Sequence, residues 1–172
     1  GSFSLIIRQY IEQIRFLEVS VAVFDAEIAR LLSGFDTRLT TITGVGPTLA
    51  AVILSEIGGD IRRFSSPAKL AAYAGVDPTV KQSGGFSGAR MKMSKRGSPY
   101  LRKTLFVIMT ILLQLQPQDD PVYQFLDKKR SEDKKYYVYM TAGMTKFLRI
   151  YYGRVRDCLK AKGLWDQPML EP

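Results

Sequence analysis

Histidine is absent from the 172 residues, and cysteine occurs once, at Cys158. The first absence removes the side chain that most often serves as general base or metal ligand near neutral pH. The second excludes an internal disulfide and fits a reducing cytoplasm. Long apolar runs are missing as well. The longest, Leu105 to Leu113, is interrupted by Thr110 and falls far short of the roughly 20 residues a membrane-spanning helix needs, so no membrane partner is expected. No secretory or transit segment stands out. Sustained strand alternation is absent too, apart from short extended pieces around Val76 to Lys81, and the chain reads as all-α. The most informative absence is of one charge: between Asp77 and Asp119 there is no acidic residue.

What fills that acid-free interval is the stretch Lys81 to Lys103, with seven cations (Lys81, Arg90, Lys92, Lys95, Arg96, Arg102, Lys103), four glycines and four serines. Concentrated positive charge repels itself unless a partner neutralises it, and a nucleic-acid backbone rewards a string of cations. Glycine lets backbone N–H groups approach phosphate, while serine hydroxyls such as Ser83, Ser87 and Ser94 can donate to phosphate oxygens or attack phosphorus. The formal net charge of +9 agrees with a polyanionic partner. A solvated basic loop is the plain alternative. With no histidine, any chemistry must come from Ser, Lys, Arg, Tyr or carboxylates.

The rest of the chain reads as helices around that stretch. Residues 1–2, Gly-Ser without methionine, resemble a cleavage scar, so the sequence reads as part of a longer protein. Residues 3–34 form a long helix: Ile7, Ile14, Val21 and Ile28 repeat every seven residues beside Tyr10, Leu17, Phe24 and Leu31, the signature of a coiled coil and of a homo-oligomer. Phe16, Val19 and Val23 lie off that seam, and an intramolecular core helix is the alternative reading. Residues 35–163 form a compact helical domain, followed by a tail over 164–172.

Within that domain, residues 39–59 carry a helix-hairpin-helix pattern. A short helix holds Leu39 and Ile42, Gly44-Val45-Gly46 turns, and Pro47 opens a helix to about Ile57 with Ala50 facing its partner. Such a turn aims N–H groups and a positive dipole end at phosphate; simple packing is the alternative. Further starts are Ser66-Pro67, Ser98-Pro99 and Asp120-Pro121. The second opens a helix from Tyr100 to about Gln116 with Leu101, Leu105, Ile108, Leu112 and Leu115 on one face. Lys128 to Lys135 is a solvated connection, and a last helix carries Met140, Met144, Phe147, Tyr151, Val155 and Leu159 to Gly163.

In that order, Ile42-Thr-Gly-Val-Gly-Pro47, Phe64, Tyr73-Ala-Gly-Val-Asp-Pro78, Ser83-Gly84, Arg90 to Lys95, Gly97 and Leu101-Arg-Lys103 resemble the C-terminal transposase domain of the insertion-sequence 110/116/902 family, over roughly Leu39 to Leu159. The resemblance implies a DNA recombinase in which this domain supplies a serine nucleophile, at the position of Ser83. It also implies an N-terminal RuvC-like domain with a DEDD carboxylate set holding Mg²⁺ and, in some members, a structured guide RNA. No such carboxylate set is present, so the chain alone should be catalytically incomplete; Asp119-Asp120 reads as a helix cap. The implied partners are DNA, a guide RNA where one is used, and the DEDD domain of the same protein in a prokaryotic cytoplasm. Arg90, Lys92, Lys95 and Arg96 are candidates for clamping the phosphate. The residues alone leave two alternatives open: a non-catalytic nucleic-acid-binding module and an oligomerisation domain.

Overall fold

The computed structural model describes residues 2–35, 38–78, 82–83, 86–87 and 93–167. It is all-α, with six helices and one minimal hairpin among those residues. The chain divides into two units, Gly1–Asp36 and Thr37–Pro172.

The first unit is a single helix, α1 (Ser2–Leu32). Its heptad side chains are exposed, Leu17 at 59% and Phe24 at 68%, as are Phe16, Val19 and Val23; Ile28 is half-buried. A 31-residue helix with that much bare apolar surface gains little from its own sequence. Most of a helix's stability in proteins comes from packing an apolar face.

The second unit is built from α2 (Pro47–Ile57), a single 3-10 turn (Ile61–Arg63), α3 (Pro67–Ala74), α4 (Pro99–Leu115), α5 (Pro121–Ser131) and α6 (Tyr136–Ala161). Four of these helices begin with proline, whose missing N–H costs nothing in the first turn. Three have a side-chain cap. Ser66 accepts from the amide of Lys69, Ser98 from that of Leu101, and Asp120 from those of Val122 and Tyr123. Gly58 and Gly75 close α2 and α3 in the left-handed conformation.

Helix α6 is the axis of the core, packing on α3, α4, α5 and the 3-10 turn. It buries Met140, Met144, Phe147 and Tyr151, while α4 and α5, which pack on it, bury Leu101, Leu105, Ile108, Leu112 and Leu126. Each large apolar side chain so enclosed contributes about 1.5–3 kcal/mol relative to exposure. Gly143 brings α6 close: a Cβ there would overlap Leu126 Cδ2 and lie 2.8 Å from Met109 Sδ. Burial pushes the Tyr151 phenol well above its ordinary range.

Three expectations are corrected. The short helix anticipated at Leu39 and Ile42 is a pair of turns, closed by the amide of Ile42 on Leu39 O at 2.9 Å and that of Val45 on Ile42 O at 3.1 Å. Thr40, Thr41 and Thr43 are β-branched and compete for backbone groups, as Thr41 Oγ1 does by donating to Arg38 O. Leu115 lies in the last turn of α4 and is exposed rather than part of the buried face. The connection after α5 is shorter than expected, because the helix continues to Ser131.

Candidate nucleic-acid interface

The acid-free stretch leaves the body of the domain between two stems, Gly75 to Pro78 going out and Met93 to Ser98 coming back. The stems are laced together. Pro78 and Met93 form an antiparallel bridge. The Ser94 amide donates to Asp77 O at 2.9 Å, and the Ser94 hydroxyl to Asp77 Oδ1 at 2.5 Å. Further in, the amide of Lys95 donates to Gly75 O at 3.0 Å and that of Ser98 to Tyr73 O at 2.8 Å. Gly97 permits this approach: a Cβ on it would overlap the Tyr73 carbonyl and lie 2.5 Å from the Gly75 nitrogen.

The base of the stems is tied to two helices. Ser98 Oγ donates to Glu56 Oε2 at 2.5 Å, and Tyr73 OH to the Glu56 carbonyl at 2.8 Å. Arg102 Nη1 reaches Ala74 O at 3.2 Å and Gly97 O at 3.4 Å. Lys95 is a non-glycine residue at φ 54°. That conformation costs of order 1 kcal/mol or more and persists only where surrounding contacts impose it, as its amide bond to Gly75 does here.

Beyond the bridge, Gln82–Ser83 pairs antiparallel with Phe86–Ser87, in the register Gln82 to Ser87 and Ser83 to Phe86. Ser83 and Ser87 thus occupy non-equivalent register positions on a minimal hairpin. Lys81, Arg90 and Lys92 lie outside the described residues. Lys95, Arg96 and Lys103 are exposed to solvent. Arg102 and Ser94, both expected to meet nucleic acid, are committed at least in part to the clamp.

The glycine turn stands elsewhere. Gly44 is at φ 80°, and a Cβ on it would meet Ile111 Cγ2 of α4 at 3.2 Å. Twelve residues separate Ile111 from Pro99 along α4, about 18 Å at 1.5 Å per residue, so the turn and the stems sit at opposite ends of that helix. The Val45 side chain is buried and its amide is used within the turn. The amides of Gly44 and Gly46 have no partner among the described residues, and Gly46 caps α2 with open space where its Cβ would be. Arg154 of α6 braces the turn, donating to Thr41 O at 3.2 Å.

Below the stems lies a groove of about 1200 Å³ between α4, α5 and α6. Met93 and Lys95 form its stem-side wall, and Thr141 Oγ1 lies 3.9 Å from Met93 Sδ. Sequence reading missed Glu56, Asp77 and Tyr73 as clamp residues, and Lys146 and Arg149 as groove cations. The groove had a local signal: Arg102, Lys103 and Phe106 fall at helical spacing on α4, as Ala142, Thr145, Lys146 and Arg149 do on α6. Among the described residues no three Cys, Asp or Glu side chains converge. No helix there is long and apolar enough to cross a membrane.

Comparison with known proteins places these features in a lineage. The family model described as the transposase IS116/IS110/IS902 family matches residues 36–124, just over half of the chain. An uncharacterized 42 kDa protein of insertion element IS900 from Mycobacterium paratuberculosis is 28% identical over 69% of this chain and 29% of its own length. The protein y4rJ of Sinorhizobium fredii, whose name assigns it provisionally to the transposases, is 37% identical over 55% of this chain and 23% of its own. An uncharacterized 43.6 kDa protein of insertion element IS110 from Streptomyces coelicolor is 24% identical over 91% of this chain and 38% of its own. The chain therefore spans well under half the length of these curated relatives. The family match covers α2, α3, both stems and α4, and the chain belongs to the transposase IS116/IS110/IS902 family.

Proposed function

We propose that this chain is the DNA-engaging part of a transposase and presents Ser83 as the nucleophile for strand cleavage and exchange. The observation that carries the reading is the clamp. The two stems that flank an acid-free run of cations and small residues are laced together and anchored by Glu56, Tyr73, Asp77 and Arg102. A hydroxyl on such a support is delivered to a phosphate at lower entropic cost than one on a solvated tether.

In the proposed step, Ser83 Oγ attacks a backbone phosphorus as its proton departs. The bond to the 3′ oxygen breaks, and that oxygen takes up a proton to become a 3′ hydroxyl. A phosphoserine ester keeps the bond energy. The 3′ hydroxyl of a second strand then attacks the ester, rejoining DNA and returning the serine hydroxyl. Arg90, Lys92, Lys95 and Arg96 neutralise the developing charge on phosphorus, with Lys81, Lys103 and Ser87 as further phosphate contacts. Gly44, Gly46 and the start of α2 give a second backbone contact at the far end of α4. Mg²⁺ belongs in this reading to a DEDD domain acting with the chain. Structured RNA is a second ligand of the same basic surface, and the bacterial cytoplasm the setting.

The exposed heptads of α1 favour one addition: that helix pairs with a second copy of itself, setting two such domains on one recombination site.

Salt-dependent binding tests the proposal. With about four to seven phosphates neutralised, the slope of log K against log salt for duplex DNA should fall near −4 to −6. A slope near zero would remove the basic surface from function.

A further inference from the structure

We propose that the groove between α4, α5 and α6 binds an unpaired stretch of nucleic acid, seating an unstacked base on Phe106 and Tyr137 while cations along its walls hold the phosphates. This rests on the reading of the chain as a nucleic-acid-engaging domain and adds a second, single-strand-specific site to it.

Three observations converge. The groove is lined by Lys95, Arg102, Lys103, Lys146 and Arg149 and by no carboxylate, so its field selects a polyanion. Its floor is apolar and aromatic. The Phe106 and Tyr137 rings are stacked at 29° with centroids 6.4 Å apart, and Tyr137 is 73% exposed. Lys146 Nζ stands 5.9 Å from the centre of the Phe125 ring. Phosphates alone have no use for such a floor, and a paired duplex keeps its base faces inside. Cations interleaved with aromatic rings, one of them exposed at Tyr137, suit bases freed from pairing.

The third observation is position. Val76, Pro78, Met93 and Lys95 belong both to the stems and to the groove wall, so the groove borders the point where the two stems meet. Its volume of about 1200 Å³ exceeds the range of about 300–1,000 Å³ usual for a small-molecule cleft and leaves room for more than one nucleotide. Thr141 and Thr145 spend their hydroxyl protons on Tyr137 O and Thr141 O, leaving oxygen lone pairs to accept from base amino groups.

The test uses the whole chain with a short single-stranded DNA carrying one 2-aminopurine, and with the same sequence as a duplex. Wild-type protein should quench the fluorescent base on binding the single strand. Tyr137→Ala should weaken single-strand binding by roughly 5-fold or more and abolish the quench, Tyr137→Phe should restore both, and duplex affinity should change by less than about 2-fold. Lys146→Gln should weaken single-strand binding without removing the quench. Tyr100→Ala, an exposed aromatic outside the groove, should change neither. If Tyr137→Ala keeps its helical spectrum, single-strand affinity and quench, the groove proposal is overturned, and an acidic amphipathic peptide becomes the better occupant. Duplex binding without single-strand binding by wild type also overturns it alone. Binding of neither removes the underlying functional reading with it.

Discussion

Replacing Gly97 by alanine should do more damage than any other single methyl group added to this domain, and the geometry sets the size. The new Cβ would overlap the carbonyl carbon and oxygen of Tyr73 and sit 2.5 Å from the Gly75 nitrogen, all backbone atoms that cannot rotate away. Relief requires the stems to separate. That loses the Ser98 amide bond to Tyr73 O and the Lys95 amide bond to Gly75 O, at about 1 kcal/mol each. Residual strain from overpacking adds about 1–3 kcal/mol. The expected loss is thus about 3–5 kcal/mol, a large share of the 5–15 kcal/mol typical of a domain. Trp165 is the single tryptophan, packs near Tyr152 at 6.1 Å, and reports on the second unit alone in guanidinium titration. With a denaturant slope of about 4 kcal/mol/M the midpoint should fall by about 1 M. Gly153→Ala is the counter-case: it lies inside α6 with nothing within 4 Å of its Cβ, and should stabilise by up to about 1 kcal/mol. A Gly97→Ala protein losing less than about 1 kcal/mol, with Lys95 and Ser98 amides still protected from hydrogen exchange, would refute the clamp.

Three further outcomes follow from other parts of the chain. Glutamate at Leu17 and Phe24 should lower the mass measured by light scattering without unfolding the second unit, whereas an unchanged monomer before and after would remove α1 as a pairing helix. The Asp60 carboxyl is held below its usual range first by the Arg62 guanidinium and then by the Arg62 amide, against the opposing effect of burial. Its stabilising contribution is therefore present above the unfolded value of about 3.9 and fades as pH falls through that value towards the lower folded one. Asp60→Asn should flatten acid unfolding in that window, and an identical acid transition in the variant would contradict this. Gly44→Val should destabilise by about 1–3 kcal/mol, since it combines a left-handed backbone with contact on Ile111, while Gly46→Ala, with its extended backbone and open surroundings, should cost no more than about 1 kcal/mol. Equal losses would show that the turn is not read correctly.

Much of this architecture was legible in one dimension because its signals are local. Ser66-Pro67, Ser98-Pro99 and Asp120-Pro121 announce helix starts through a cap and a fixed φ acting within three residues, and each cap is made. The spacing of Met140, Met144, Phe147 and Tyr151 marked a buried face because burial of one helix side imposes that period. What escaped is contact across sequence. Glu56 meets Ser98 from 42 positions away, and nothing in either neighbourhood marks the pair. Arg102 looked like one cation among seven, yet part of its guanidinium caps carbonyls of the stems. The groove is formed by three helices whose aromatics, Phe106, Phe125 and Tyr137, belong to no short motif, so only the helical spacing on α4 and α6 hints at it. The turn at Leu39 to Ile42 reads as a short helix because two apolar residues three apart fit either geometry, and the threonines between them decide it.

The nucleophile assignment has one direct measurement: intact-mass analysis of the longer protein, with its DEDD domain, Mg²⁺ and any required RNA, after incubation with a DNA substrate that traps the cleaved strand. The account predicts a DNA-linked species with wild type and with Ser87→Ala, and none with Ser83→Ala, whose duplex affinity should stay near wild type because phosphate charge dominates binding. Adduct formation by Ser83→Ala, or its loss in Ser87→Ala alone, would contradict the account.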